Sequence, residues 1–197
     1  VWRFDRAVSG TGSLGDLGSH MIDMARYLIG EFREVSGRLA TFVHERHDPA
    51  SGRMVVVEVD DYAAFHALID PDIPVLFQTS RNAVGSANQH EAFIYGDQGT
   101  LHVSSENRDT VTWIYHDKTQ RKDRLEMLAV PKDAGVDQWD EFMKLLRGEP
   151  CGLLTTVTDG YINQAVMEAV VRSDRERRHV RLHEFPNPDS FSANSSK

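Results

Sequence analysis

The sequence predicts an α+β fold, a largely antiparallel, open-faced β-sheet with helices packed on one face. Three observations lead there. One helical pattern near the start is followed by a long β-rich region and then by further helical patterns. The β-type segments follow one another without the helical crossovers that parallel strands need. The last helical pattern carries a continuous apolar stripe that must be buried against something.

Residues 1–9 carry Arg3, Asp5 and Arg6 among their apolar residues, which is wrong for a strand buried on both faces. The first helix is expected from about Ser13 to Ile29, stopping at Gly30, with Ser9, Thr11 or Ser13 available to cap its first amides. Strands are expected at 35–43, 54–59, 62–68, 75–79, 90–95, 100–103 and 111–115. These stretches are rich in Val, Ile, Phe, Tyr and Thr and are bounded by Asp, Pro, Gly and Asn. Residues 49–52 read as a hairpin loop and 96–99 as a hairpin turn. A second helix spans about Val136 to Leu146, with Trp139, Phe142, Met143 and Leu146 at helical spacing. The third starts near Thr158 and Asp159, either of which can cap it, and runs to about Ser173. A short strand at 179–182 follows. The expected organisation is one domain over 1–185 and a Pro-, Ser- and Asn-rich disordered tail over 186–197.

The formal charge of -8 makes a broad phosphate-binding surface, and hence a nucleic-acid partner, a poor expectation. Cys151 is the only cysteine, so neither an intrachain disulfide nor a cysteine zinc cluster can form. The apolar runs are too short to span a membrane, and the chain opens without the basic-then-apolar plan of a signal peptide. A cytoplasmic location is expected. The absent initiator Met suggests a piece of a longer chain.

Gly10, Gly12 and Gly15 have the spacing Gly-x-Gly-x-x-Gly of a dinucleotide loop. Such a loop follows a buried strand and opens a βαβ unit, and neither flank fits here. The glycines read instead as a helix entry. Gly15 and Gly18 lie inside the helix, where each costs about 1 kcal/mol relative to Ala, so the backbone is expected to lie close to something.

At helical spacing Asp16, His20, Asp23 and Tyr27 share an arc of roughly 60° opposite Leu14, Leu17, Met21, Met24 and Leu28. An Asp one turn before a His can orient the imidazole and stabilise its protonated form, which suits proton transfer. Spacing alone equally allows a solvated surface pair, or a divalent-metal site at Asp16, His20 and Asp23 that lacks the Glu of a His-Glu-x-x-His helix. His44, His47 and Asp48 form a second polar cluster, read as solvated, and Cys151 has no evident partner.

The run Gly10-x-Gly12-x-Leu14-x-Asp16-x-Gly18-x-His20-x-x-Asp23, followed by Leu28-Ile29-Gly30, resembles the C-terminal-domain signature of the Gfo/Idh/MocA oxidoreductases. That family includes glucose-fructose oxidoreductase and inositol dehydrogenase. The likeness extends through Val59 to Phe65, Ser80-Arg81, Gly85, Tyr95 to Leu101, Thr158-Asp159-Gly160 and Ala165 to Ser173, about residues 1–183 in all. It implies the C-terminal domain of a two-domain dehydrogenase. The NAD or NADP would be bound mainly by a Rossmann domain, absent here, that also supplies a catalytic lysine. The resemblance makes His20 the proton-transferring residue and Asp16 the acid that holds substrate or tunes the site. It places Arg3, Asp23 and Arg81 at substrate binding, Asp23 by supporting the helix rather than reacting. The implied substrate is a sugar, polyol or inositol hydroxyl, and no metal is implied. A homodimer through the open sheet face is expected, since that face needs a cover. A non-enzymatic binding or assembly module using the same sheet is the alternative.

Overall fold

The computed structural model describes residues 2–132, 134–152 and 154–187. The chain enters through a 3-10 turn, Trp2–Phe4, and a short helix α1, Arg6–Ser9, whose Ala7 amide donates to the carboxylate of Asp5. A π-helical turn, Leu14–Gly18, runs into α2, Ser19–Leu28. Strands follow as β1 (Phe32–Ala40), β2 (Glu45–His47), β3 (Met54–Val56), β4 (Tyr62–Ile69), β5 (Ile73–Ser80), β6 (Glu91–Gly96), β7 (Gly99–Ser104), β8 (Thr110–Asp117) and β9 (Lys122–Ala129). Helices α3 (Gln138–Arg147) and α4 (Val157–Glu176), strand β10 (Val180–Arg181) and a 3-10 turn (Leu182–Glu184) complete the described chain. The end of the expected tail, 188–197, lies outside the described residues.

Every strand pair is antiparallel, and the α+β class is as the sequence reads. The strands do not form one sheet, however. They divide into a four-stranded sheet in the order β10-β1-β4-β5, a β2-β3 hairpin and a second four-stranded sheet, β6-β7-β8-β9. The chain likewise separates into two compact units, Val1–Ala83 with Thr155–Lys197, and Val84–Leu154.

In the first unit β4 alternates strictly, burying Ala63, Phe65, Ala67 and Ile69 and turning the residues between them outward. Phe65 stacks on Phe77 of β5 at 4.5 Å between ring centroids. The buried side of α4, with Val166, Ala169 and Val170, joins this core. Its close approach to β1 requires Gly37, where a Cβ would sit 2.8 Å from Val170 Cγ1 and 2.9 Å from Phe65 Cβ. The Gly37 amide donates to Ser173 Oγ at 3.0 Å, pinning helix to strand.

In the second unit Gly96 pairs with Gly99 across a two-residue turn, as the sequence predicts. β9 was not expected from the sequence because Lys-Asp-Arg-Leu-Glu-Met-Leu-Ala contains no β-branched or aromatic residue. Its place at the sheet edge explains its charges, which discourage pairing with another chain. β2, another unpredicted strand, is only Glu-Arg-His. Helix α3 exposes Trp139, Phe142, Met143 and Leu146, the residues whose spacing identified it. Among the described residues no helix is long and apolar enough to cross a membrane.

Candidate functional site

The glycine-rich entry to α2 is built against the segment before β4. Gly10 takes φ +71° and turns the chain out of α1. At Gly12 a Cβ would collide with the carbonyl oxygen of Asp60, so the closest backbone approach is here rather than at Gly15 or Gly18. A Cβ at Gly15 would meet mainly the Thr11 hydroxyl, and one at Gly18 the Leu14 side chain.

None of the nearby hydroxyls predicted as caps holds the entry amides of this helix. The Gly12 amide donates to Asp60 Oδ1 at 2.7 Å and the Leu14 amide to Asp60 Oδ2 at 2.8 Å. The Ser13 amide donates to the Asp60 carbonyl at 2.9 Å. Ser13 Oγ instead lies 2.8 Å from Thr79 Oγ1 on β5. The donors that a bound phosphate would need are therefore committed to a carboxylate of the chain itself.

Asp16 emerges from the π-turn two residues past Leu14. Its Oδ2 accepts from Arg81 Nη2 at 3.0 Å and lies 3.7 Å from Arg3 Nη1. Arg81 continues from the end of β5, and its amide donates to the Asp61 carbonyl at 2.9 Å. The Arg3 guanidinium stands 5.4 Å from the centre of the Trp2 ring. These groups border a hollow of about 380 Å³, whose other polar side chains include Gln164 and Glu168 of α4. Carboxylates accept from hydroxyls, guanidinium groups donate to them, and an indole offers a flat apolar wall. That combination suits a neutral ligand rich in hydroxyl groups.

The structure thus gathers Asp16, Arg3 and Arg81, which are far apart in sequence. His20 is exposed near the start of α2, and Asp23 is half-buried one turn further on. Neither borders this hollow. Asp16 sits inside the π-turn and His20 beyond it, so the 100° step that put all of them on one helical face does not apply. Asn163 Nδ2 donates to the Ser19 carbonyl at 3.0 Å, tying α4 to the first residue of α2. Sequence reasoning missed Asp60 and Thr79 because their role depends on contacts across more than forty residues. Their near-complete burial, 4 % exposed in each case, becomes visible only in the fold.

The cluster at His44, His47 and Asp48 divides: His47 ends β2, and Asp48, read from the sequence as solvated, is buried at the loop that follows. Asp48 accepts from the Ala50 and Ser51 amides and from Ser51 Oγ, and the Ser51 hydroxyl leads in holding its carboxyl below the usual range. Among the described residues no group of three or more His, Cys, Asp or Glu side chains is gathered as a metal site.

Residues 1–102 match the family model for the GFO/IDH/MocA C-terminal domain. The levoglucosan dehydrogenase of Pseudarthrobacter phenanthrenivorans is 33% identical over 120 residues, 55% of this chain and 31% of that protein. A solved levoglucosan dehydrogenase in complex with NADH and levoglucosan is 25% identical at a TM-score of 0.79, matching 94% of this chain and 54% of its own. An oxidoreductase domain protein from Kribbella flavida is 27% identical at a TM-score of 0.79, over 92% of this chain and 54% of its own. The chain spans about half the length of these solved relatives.

Proposed function

This chain belongs to the Gfo/Idh/MocA oxidoreductase family as a C-terminal domain, and we propose that it is the substrate-binding and catalytic part of an NAD(P)-dependent dehydrogenase. Its substrate is the hydroxyl of a sugar, polyol or inositol. The observation that carries this reading is the meeting of Asp16, Arg81 and Arg3 at one hollow. The levoglucosan bound by a related structure favours the same class of ligand.

Asp16, fixed by Arg81, accepts a hydrogen bond from a substrate hydroxyl. By the family resemblance rather than by the lining of this hollow, an imidazole nitrogen of His20 takes the proton of the hydroxyl being oxidised. Arg3 donates to a neighbouring hydroxyl, and Asp23 supports the helix that presents His20. A dinucleotide supplies the hydride acceptor when bound. The Gly10 to Gly15 loop does not fit it, because Asp60 already takes the amides. We assign it to a further domain of the longer protein, and the 197-residue chain alone is expected not to turn over. A homodimer through the outer face of the β10-β1-β4-β5 sheet completes the proposal.

The test uses the full-length protein with a panel of sugars and polyols. His20→Ala should lower turnover by about 10²- to 10⁴-fold, the range of a lost general base, while dinucleotide affinity stays unchanged. Turnover equal to wild type would remove His20 from the mechanism.

A further inference from the structure

We propose that Asp60 is the positioning residue of the Asp16–Arg81 site. This rests on the function proposed above. The first turn of a helix leaves amides without intrahelical partners. Here the residue before the π-turn, Ser13, makes no side-chain cap, and its hydroxyl is turned to Thr79. Asp60 takes the task from 46 residues away. Its two carboxylate oxygens divide between the Gly12 and Leu14 amides, and its carbonyl takes the Ser13 amide between them.

This is a two-pronged grip rather than a single contact. A carboxylate held at both oxygens has no free rotation, and it fixes the loop in direction as well as in distance. Gly12 seats the loop directly on the Asp60 carbonyl, with no room for a side chain. Only Gly15 separates Leu14 from Asp16, so a shift of the gripped amides moves the Asp16 carboxylate with them.

The other partner of Asp16 is anchored beside it. Arg81 reaches Asp16 while its own amide donates to the carbonyl of Asp61. One dipeptide therefore holds both halves of the Asp16–Arg81 pair, the loop through Asp60 and the arginine through the Asp61 backbone. The Asp61 carboxylate goes elsewhere, accepting from the Phe42 and Val43 amides at 2.9 and 2.8 Å. Two adjacent buried carboxylates thus perform the same kind of bond on different loops, and only one of those loops carries the site.

Asp60→Asn turns one acceptor oxygen into a donor facing an amide, and the control is Asp48→Asn, which does the same to the Ala50–Ser51 loop away from the site. In the full-length enzyme, Asp60→Asn should lower kcat by about 100-fold, the scale of a misplacement near 1 Å, with the KM for the dinucleotide unchanged. Asp48→Asn should reduce thermal stability yet keep kcat within about twofold, since its carboxylate holds the Ala50 and Ser51 amides and does not border the hollow. Amide hydrogen exchange on the 197-residue chain is the second measurement. Gly12 and Leu14 should be protected in the wild type and lose protection in Asp60→Asn, while Phe42 and Val43 keep theirs.

Equal losses of kcat in the two variants would reduce Asp60 to a general structural role and overturn the proposal. So would a folded Asp60→Asn enzyme with wild-type kcat. Should Asp60→Asn fail to fold, the wild-type exchange decides, and unprotected Gly12 and Leu14 amides overturn the grip. If the full-length protein oxidises no sugar or polyol, the dehydrogenase reading falls, and the exchange arm still decides whether Asp60 holds the loop.

Discussion

Asp60 and Asp61 stand side by side at 4 % and 2 % exposure, and both hold backbone amides through their carboxylates. Burial alone would push the Asp61 carboxyl up; the Phe42 and Val43 amides and the Asn82 side chain outweigh it and hold it below the usual value. Glu184 is lowered further, to about 2, chiefly by its bond to the Arg178 guanidinium. Carboxyls depressed in the folded state stabilise it above their unfolded value of about 4, and that stability is lost as pH falls through the folded value. The melting temperature should therefore hold steady down to about pH 5 and drop between about pH 4 and 2. Glu184→Gln should shrink that drop. A melting temperature that stays flat to pH 2 would contradict this assignment. At this scale the local glycine-acid-histidine spacing marks Asp16, whereas Arg3 and Arg81 are expected only from the family resemblance. The sequence leaves Asp60 and Thr79 unmarked, because an Asp or Thr beside a strand looks alike whether it faces water or a helix entry.

Helices α3 and α4 lie within a few residues of where the sequence puts them, but the α4 cap differs from the one expected. Asp137 accepts from the Trp139 and Asp140 amides at the head of α3, and Gly148 closes it in the left-handed region. α4 begins slightly earlier than Thr158. Thr156 is its cap, and Asp159 answers from the third position by accepting from the Thr156 amide and hydroxyl at 2.8 and 2.6 Å. Asp159 also meets Arg26 of α2 at 3.4 Å, so this cap joins α4 to α2. Thr156→Ala should cost about 1 kcal/mol of unfolding free energy, measured by urea denaturation. A cost near zero would mean that Arg26 and the helix face hold the end without the box. α2 departs from the sequence reading because its cap is remote and its first turn is wide. No periodicity signals a π-turn whose amides are held by another part of the chain.

Across the whole molecule, the outward side of the β10-β1-β4-β5 sheet is where the proposed homodimer is tested. His66, Leu68, Pro74 and Leu76 border a hollow of about 530 Å³ there, beside Glu34 and His179. Leu76 is 68 % exposed, an apolar side chain in the middle of a strand with nothing over it among the described residues. Leu76→Asp should shift sedimentation of the full-length protein toward the monomer without altering the circular-dichroism spectrum. A wild-type protein that is monomeric at micromolar concentration would dismiss this face as the contact. The sequence by itself determined the α+β class, most strands, the turn at 96–99 and the segment carrying Asp16 and His20. Each of these is written in neighbours a few residues apart, as alternation, helical spacing or turn chemistry. Only the tertiary structure decided that the strands divide into two sheets, that Asp60 caps the helix entry, and that Arg3 and Arg81 converge on Asp16. Those outcomes depend on which distant backbone groups are left needing a partner once the core has closed.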